Sequence, residues 1–361
     1  MNNRSSISKV QRVLYSTDIS MFECVPKKIY YPKNKQELQK ILIKAKKNKI
    51  TIHPRGCGTS TAGQSLGHGV LIDTARYMNR ILHIGKDYVD VEPGIILEEL
   101  NKKLKPFGLF MPVDPSSHEV CSIGGMVSNN SSGIHSYLYG DTKDYVIGIE
   151  GYFANTDSFS TISGEGTKKY LDIISSIKPK ALALTDKIAK SSKNSSGYNI
   201  KDTFSKNGLT ALNSLLIGSE GTLCVMTKIR LKVIPLPEKR ITILATFDDL
   251  EKALLAVSAS KKINNISAIE LLDKELIATS RKYFTEIRNF FSDDINAGLI
   301  FEIDGTEKNT QNSLKELLQV LEPVAKKIET GYNEEERKKL WWMRKSASSI
   351  LNRIEGSTRS L

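Results

Sequence analysis

Short apolar runs alternate with longer amphipathic stretches through the first two thirds of the chain. From Lys35 to Asn48 the apolar residues recur at helical spacing, with lysines on the opposite face. This pattern predicts a helix whose inner face is formed by Leu38, Ile41, Leu42 and Ala45. The apolar runs predict strands at 25–31, 50–53, 70–73, 88–92, 145–153 and 223–233. Further helices are predicted at 9–15, 96–105 and 209–215, and more loosely at 168–177 and 180–190.

The pattern changes after Pro235 and Pro237, which mark a domain boundary because proline ends a strand. Beyond it we predict strands at 241–247, 267–271 and 298–303 and helices at 248–263 and 309–327, with Asp248 as the cap of the first helix. A last helix contains Trp341 and Trp342. This order predicts an open α+β sheet with helices on one face. We expect no closing strand, so that the sheet has an unpaired edge and the domain is incomplete. The predicted organisation is therefore a leader at 1–20, a first domain at 21–237 and part of a second at 238–361.

Composition narrows the class of protein. The net charge is +12, from 52 Lys and Arg against 40 Asp and Glu, but no basic run of five residues occurs. We therefore expect solvated helix faces, and a nucleic-acid binder is the least favoured hypothesis. The four cysteines lie far apart without a C-x-x-C pair, which argues against zinc or iron–sulfur ligation and predicts reduced thiols in the cytoplasm. No apolar run approaches the roughly 20 residues that span a bilayer, so we expect at most peripheral association with the inner face of the membrane.

The stretch from Pro54 to Ser65, Pro-Arg-Gly-Cys-Gly-Thr-Ser-Thr-Ala-Gly-Gln-Ser, is suited to binding a phosphate. Its glycines allow successive N–H groups to converge on an anion, while Arg55, Thr59 and Ser60 add a cation and two hydroxyl groups. It lies between two predicted strands, whereas a Walker loop or a dinucleotide fingerprint opens a helix. A glycine-rich surface turn is the alternative for this loop taken alone.

Two further clusters follow. Residues 110–117 are too rich in proline for regular structure and lead into Ser122-Ile123-Gly124-Gly125-Met126-Val127-Ser128-Asn129-Asn130-Ser131-Ser132-Gly133. The third is Gly218-Ser219-Glu220-Gly221-Thr222-Leu223.

Together these clusters resemble the FAD-linked oxidase family, the vanillyl-alcohol oxidase or PCMH-type flavoproteins. The resemblance is to the D-2-hydroxyacid dehydrogenase branch, which includes the glycolate oxidase flavin subunit, D-lactate dehydrogenase and D-2-hydroxyglutarate dehydrogenase. It extends from about residue 18 to the end and is nearest to forms fused to an iron–sulfur module. The matching motifs are 54–65, Asp114-Pro115-Ser116-Ser117, 123–127, 130–133, Tyr139-Gly140, Ser196-Gly197-Tyr198-Asn199 and 218–223.

The resemblance implies a PCMH-type FAD-binding domain of two α/β subdomains followed by an incomplete α+β cap domain. FAD would be the cofactor, with its pyrophosphate held by the backbone amides of 55–60. Thr59 occupies the position at which some relatives carry the histidine that attaches FAD covalently, so non-covalent FAD is expected. The implied cofactor residues are Arg55, Gly56, Cys57, Gly58, Thr59, Ser60, Gly63, Gln64, Pro115, Ser116, Gly124, Gly125, Asn130, Gly133, Glu220 and Gly221.

The reaction implied by the resemblance is transfer of hydride from C2 of a D-2-hydroxy acid to flavin N5. Arg344 matches the arginine that binds the substrate carboxylate, Ser348 would share its helical face, and Arg359 is a looser second match. A surface arginine is the alternative for Arg344. The two tryptophans are expected in the core.

The chain departs from the family pattern in its histidines, because its five, His53, His68, His83, His118 and His135, all precede residue 136. The family's base and metal ligands lie well beyond the Arg344 position, so we assign no catalytic base and no metal site. We expect a fragment whose remaining cap half and any iron–sulfur module are supplied separately. The alternative is a non-catalytic FAD-binding subunit or remnant. A reductase of UDP-linked enolpyruvyl sugars is a less favoured alternative. That class of enzyme lacks the Asp-Pro-Ser-Ser and Gly-Ser-Glu-Gly-Thr segments that this chain contains.

Overall fold

The chain folds into two compact units. The computed structural model describes residues 5–185, 187, 195–283 and 290–351, and for residues 185, 343 and 345–351 it describes the backbone alone. The first unit comprises Met1–Gly133 and Asp141–Pro235, and the second comprises Ile134–Gly140 and Leu236–Leu361.

The first unit begins with a four-stranded sheet of order β1-β2-β4-β3, in which β2 and β3 both run parallel to β4. Its strands are β1 (Ser5–Ser6), β2 (Lys28–Tyr30), β3 (Ile52–Arg55) and β4 (Val70–Asp73), and its helices are α1 (Lys9–Leu14) and α2 (Lys35–Lys47). The prediction for α2 is confirmed, since its four predicted inner residues are buried and three of them, Leu38, Ile41 and Leu42, pack against Tyr30, Val70 and Ile72.

The first unit continues with an antiparallel sheet of order β5-β6-β10-β8-β9. Its strands are β5 (Ile81–Ile84), β6 (Tyr88–Val91), β8 (Val146–Phe153), β9 (Ser158–Ser160) and β10 (Cys224–Lys232), and a two-residue β7 (Leu109–Phe110) pairs with β11 (Ile234–Pro235). The helices of this part are α3 (Leu97–Leu104), α4 (Ile123–Asn129), α6 (Lys168–Thr185), α7 (Ile200–Ser205) and α8 (Gly208–Leu216).

One strand of this region was missed and one prediction is wrong. Strand β5 was not predicted. Of its four residues only Ile81 and Ile84 are partly buried, so the apolar pattern of the strand is weak. The two helices predicted at 168–177 and 180–190 form one helix, α6, which continues through Pro179 to Thr185. Pro179 has no backbone N–H, so the 18-residue helix lacks one of its backbone hydrogen bonds at this position. Residues 188–190 lie outside the described residues.

The second unit is an antiparallel sheet of order β13-β14-β12-β15. Its strands are β12 (Lys239–Phe247), β13 (Ile266–Asp273), β14 (Ala297–Gly305) and β15 (Lys327–Gly331). Its helices are α5 (Ser136–Tyr139), α9 (Leu250–Ser260), α10 (Lys274–Tyr283), α11 (Glu307–Leu321) and α12 (Glu334–Leu351).

Strand β15 corrects the prediction that no further strand joins this sheet, since it pairs with β12 along Thr242–Thr246. The predicted helix at 309–327 extended into it. Helix α11 ends at Leu321, with Glu322 as its C-cap, and Pro323 has no N–H to continue the helical hydrogen bonds. The cap of α9 is also Asp249 rather than Asp248, and Asp248 pairs instead with Lys252.

The prediction of helices on one face of this sheet is wrong as well. One face packs against α9 and α11 through Phe247, Leu299, Phe301 and Leu317. The other face packs against α10 and α12 through Leu244, Ile277, Ile300 and Leu340, with Ile134 at its margin. Both faces of β14 are therefore buried. Among the described residues, no helix combines the length and apolar character needed to cross a membrane.

Leu317→Ala tests the core of the second unit. Leu317 is fully buried, so we expect its truncation to lower the free energy of unfolding of this unit by about 2–5 kcal/mol. Both tryptophans of the chain lie in this unit, so denaturant unfolding followed by tryptophan fluorescence reports it separately. Leu255→Ala is the matched control, because Leu255 is 61% exposed on α9 and should change the midpoint little. Equal effects would contradict the assigned packing.

Candidate functional site

The glycine-rich loop connects two neighbouring parallel strands. Because β3 and β4 run in the same direction, the chain after Arg55 must run back along the length of these strands before it enters β4 at Val70. Gly58 and Gly63 have φ of 71° and 81°, which residues with a Cβ rarely adopt. The predicted order of strand, loop and strand is confirmed.

The second cluster contains helix α4, which was not predicted. Two consecutive glycines, Gly124 and Gly125, weaken the helical signal. The helix is capped by Ser122, whose hydroxyl accepts from the Gly125 N–H at 3.3 Å, and it ends at Asn130, with φ of 44°. A Cβ on Gly124 would lie 2.7 Å from the Cβ of Pro93 and 2.8 Å from its carbonyl oxygen. This close approach requires glycine.

The three clusters converge within the first unit. A Cβ on Gly56 would lie 2.1 Å from Ser122 Oγ, so the first and second clusters touch. The N–H groups of Gly218 and Glu220 donate to the carbonyls of Val127 and Ser128, both at 2.9 Å, which joins the third cluster to α4. The predicted convergence is confirmed as geometry. Binding of a ligand by these residues stays a prediction.

A cleft opens where the clusters meet. Seven predicted cofactor residues besides Arg55 line it, and they come from all three clusters: Gly56, Ser60, Gln64, Gly124, Gly125, Glu220 and Gly221. Its lining also includes residues that are not among the predicted cofactor residues: Pro54, Ser65, Thr74, Pro93, Ser128, Asn129, Cys224, Val225 and Met226. Ser128 and Asn129 belong to the quoted second cluster and could have been named. Thr74 and Pro93 follow strands and carry no comparable signal.

The side chains of two predicted residues are engaged within the protein. The Arg55 guanidinium donates to the carbonyls of Tyr15 and Thr17. The Asn130 side chain accepts from the Lys143 N–H at 2.9 Å.

The other predicted residues lie outside the cleft lining. Gly133 abuts the Asp-Pro-Ser-Ser segment, since a Cβ there would lie 2.2 Å from Asp114 Oδ1. The members of this group besides Gly133 are Cys57, Gly58, Thr59, Gly63, Pro115 and Ser116.

A buried polar cluster lies on β14 in the second unit. Glu302 is 2% exposed and accepts from His135 Nε2 at 2.9 Å, Thr242 Oγ1 at 2.7 Å and Trp341 Nε1 at 2.6 Å. Two residues along the same face, Asp304 accepts from Tyr139 Oη at 2.8 Å and pairs with Arg240 at 3.1 Å. This cluster was not predicted from the sequence. The signal was present, because two acids interrupt an otherwise apolar strand, Leu-Ile-Phe-Glu-Ile-Asp.

The two acids of this cluster respond differently to burial. Burial raises the pKa of a carboxyl group, but in Glu302 the hydrogen bond and charge of His135 outweigh it and lower the pKa to about 2. In Asp304 burial dominates and raises the pKa, despite the opposing charge of Arg240. Glu302 is therefore ionised at neutral pH, and His135, Thr242 and Trp341 converge on it.

The predicted substrate residues lie on α12. Arg344 Nε donates to Glu270 on β13 at 2.6 Å, and the arginine side chain is 41% exposed. Trp341 is buried, as predicted, but Trp342 is 39% exposed, which corrects its assignment to the core. The Ser348 side chain and all of Arg359 lie outside the described residues. Within the described ranges, no group of three His, Cys, Asp or Glu side chains is arranged to hold a metal ion.

Two family models match parts of this chain. A model described as FAD binding domain matches residues 26–157, and one described as FAD linked oxidases, C-terminal domain, matches residues 236–360.

Similar proteins carry consistent names. Glycolate oxidase subunit GlcD of Bacillus subtilis is 29% identical over 97% of this chain and 67% of its own length. The mitochondrial D-lactate dehydrogenase [cytochrome] of Arabidopsis thaliana is 30% identical over 90% of this chain and 50% of its own. D-2-hydroxyglutarate dehydrogenase of Pantoea ananatis is 29% identical over 77% of this chain and 29% of its own. The chain thus spans from 29% to 67% of the length of these relatives.

A solved structure of alkyldihydroxyacetonephosphate synthase shares the fold, with a TM-score of 0.69 at 19% identity, over 97% of this chain and 62% of that one. The fold is a mixed α+β flavoprotein fold with an FAD-binding domain and a C-terminal oxidase domain. The chain belongs to the FAD-linked oxidase family, in its D-2-hydroxyacid dehydrogenase and oxidase branch, whose cofactor is FAD.

The cleft of the first unit is chemically suited to this cofactor. Gly56 and Gly124 keep their segments in contacts that a Cβ would block, and the lining offers the hydroxyl of Ser60 and the side-chain amide of Gln64. Glu220 is the single carboxylate in this lining. Such a donor-rich, glycine-lined cleft fits an anionic dinucleotide.

Gly124→Ala is expected to weaken FAD binding. The added Cβ would force α4 away from Pro93, and we expect the Kd for FAD to rise at least about tenfold, or about 1.4 kcal/mol. Fluorescence titration of the cofactor-free protein measures the Kd, and its melting temperature shows whether the variant is folded. Gly305→Ala is the control, since its Cβ would meet no atom closer than 3.7 Å. An unchanged Kd for a folded Gly124→Ala protein would exclude this segment from the site.

Glu302→Gln tests the polar cluster. At pH 7 we expect the free energy of unfolding to fall by about 1.5–3 kcal/mol, because charge-assisted hydrogen bonds are lost. The folded-state pKa of about 2 lies below the ordinary 4.5, so the ionised carboxylate stabilises the fold above about pH 4.5 and loses this effect as pH falls towards 2. The difference from wild type should therefore shrink between about pH 5 and pH 2. Glu316→Gln, at an exposed position on α11, should show no such trend.

Proposed function

We propose that this chain binds FAD in the cleft of its first unit and takes part in the oxidation of a D-2-hydroxy acid to the 2-oxo acid. The substrate class comprises D-lactate, D-2-hydroxyglutarate and glycolate, which the names of the relatives suggest. The observation that carries the proposal is the convergence of three glycine-bearing segments on one cleft.

The proposed roles in cofactor binding follow the chemistry of each segment. The backbone amides of 55–60 hold the pyrophosphate, while Gly124, Gly125 and Gly221 give the ribityl chain and ring edge an approach free of side chains. The remaining predicted cofactor residues support these segments. When bound, FAD supplies the two-electron acceptor that receives hydride from C2 of the hydroxy acid. Because Thr59 offers no nucleophilic ring nitrogen, we propose that FAD is held non-covalently.

Arg344 is the proposed partner of the substrate carboxylate, assisted by Ser348 and Arg359. Its pairing with Glu270 supports the proposal in one respect, because a fixed guanidinium loses less freedom when it binds a second carboxylate. The same pairing also fits the simpler reading of a surface salt bridge, which contributes little to stability.

We further propose that turnover needs residues outside this chain. The relatives are longer than the part matched here, and all five histidines precede residue 136, so no base is assigned within the chain. The proposed domains are accordingly 21–237 for FAD binding and 238–361 for the first part of the cap. An iron–sulfur module is the proposed electron-accepting partner. The four unpaired cysteines favour a cytoplasmic location, with at most peripheral membrane contact.

A non-catalytic FAD-binding subunit is the second candidate. The position of the histidines favours it, since such a subunit needs no base. It differs from the first proposal in whether any partner restores substrate oxidation.

Anaerobic reduction of the bound flavin tests the function. We expect the purified chain to be yellow and to release all its flavin on denaturation. When the chain is alone, no hydroxy acid should bleach the visible absorbance of its oxidised flavin. Adding the remaining C-terminal part of a relative should allow D-hydroxy acids to bleach it. Arg344→Lys should slow this bleaching about tenfold or more, because bidentate binding is lost.

Three results would count against these expectations. A colourless protein that takes up no added FAD would overturn the function. Bleaching of the chain alone would overturn the need for a partner. Failure of every partner would favour the non-catalytic subunit.

A further inference from the structure

The Arg55 side chain lies beneath the glycine-rich loop. Its guanidinium donates to the carbonyl of Tyr15 at 3.4 Å and of Thr17 at 2.8 Å, and it lies 5.3 Å from the centre of the Tyr15 ring. A Cβ on Gly58 would lie 2.2 Å from the same guanidinium. The loop backbone therefore folds directly over a side chain that is itself tied to residues 15–17.

Tyr15 also reaches the strand that follows the loop. Its hydroxyl donates to Asp73 Oδ2 at 2.6 Å, and Asp73 is 5% exposed at the end of β4, opposite Arg55 in register. One residue further, the N–H of Thr74 donates to the Arg55 carbonyl at 3.1 Å. Tyr15 thus contacts both strands between which the loop is held.

The far end of the loop is tied to the same N-terminal segment. Ser65, which is 7% exposed and lines the cleft, donates from its hydroxyl to Asp18 Oδ2 at 3.0 Å. Asp18 is itself fixed, because its Oδ1 accepts from the Ser20 N–H at 2.9 Å. Residues 15–18, which we term the N-terminal clasp, therefore hold the loop at Arg55 and at Ser65.

We propose that the N-terminal clasp positions the glycine-rich loop for FAD, so that Tyr15 and Asp18 control cofactor affinity without touching the cofactor. A glycine-rich loop is costly to order, and a loop already held in its binding shape loses less entropy when the ligand arrives. The inference rests on the proposed FAD site. It adds that residues 15–18, which lie outside the matched FAD-binding domain, determine how well the site binds.

Tyr15→Phe is the sharpest test, since it removes the bond to Asp73 and keeps the ring beside Arg55. We expect the Kd for FAD to rise about 3- to 10-fold, the loss typical of one hydrogen bond. ADP, which shares the pyrophosphate, should weaken by the same factor when it competes with FAD. Ser65→Ala should act in the same direction from the other end. Hydrogen exchange of residues 56–65 in the cofactor-free protein should become faster in both variants.

Tyr170→Phe is the matched control. It removes a tyrosine hydroxyl bond to a carboxylate in the same unit, from Tyr170 to Asp157 at 2.9 Å, away from the loop and the cleft. We expect its Kd for FAD and its exchange at 56–65 to equal those of the wild type.

The outcomes separate this inference from the proposed function. Wild-type binding with unchanged Kd and unchanged exchange in Tyr15→Phe and Ser65→Ala would overturn the clasp alone. Equal weakening in Tyr15→Phe and Tyr170→Phe, with parallel falls in melting temperature, would reduce the effect to general destabilisation and also overturn it. A wild-type protein that binds no FAD would overturn the proposed function together with this inference.

Discussion

Close approach between backbone segments is the constraint on which the first unit depends. At Gly56 and Gly124 a single added carbon would lie 2.1 Å and 2.7 Å from its neighbours. Because of this closeness, a strand-to-strand loop, a short helix and the turn before β10 can share one cleft. Glycines and small polar side chains then line the cleft, while the Arg55 guanidinium is engaged by the carbonyls of Tyr15 and Thr17.

The second unit contains two buried acids inside its sheet. Glu302 and Asp304 lie on the face of β14 that is otherwise apolar, and an unpaired buried charge there would be strongly destabilising. The unit supplies partners from separate elements, namely His135 and Tyr139 from 134–140, Thr242 and Arg240 from β12, and Trp341 from α12. The cluster therefore fixes how these elements pack.

The sequence predicted what local chemistry determines. Helix α2 followed from its apolar spacing, and the glycine loop from its residue types and its place between strands. The elements that failed depend on information from elsewhere in the chain. Helix α4 contains two weak helix formers and is held by the Ser122 cap and by Pro93, while β15 is a polar strand that exists by pairing with β12. Pro323 is a signal in the sequence for the end of α11, although the predicted helix extended past it.

The candidate site shows the same division. The three segments could be predicted from glycine clusters and from resemblance, and their convergence agrees with that prediction. The direction of the Arg55 side chain could not, because only the folded chain brings the carbonyls of Tyr15 and Thr17 to its guanidinium. Partners more than a hundred residues apart, such as His135 and Glu302, likewise leave no trace in local pattern.

Residues 134–140 give the second unit a composite origin. The chain leaves the first unit after Gly133, contributes His135 and Tyr139 to the sheet of the second, and returns at Asp141, long before β12 is reached. A polypeptide cut at Pro235 would therefore separate Glu302 and Asp304 from two of their donors, His135 and Tyr139, and leave Thr242, Trp341 and Arg240 as their partners from the C-terminal part. The boundary that proline marks along the sequence is not a line along which the molecule can be divided into self-sufficient halves. Anyone who transplants the C-terminal unit into another protein must transplant this seven-residue segment with it.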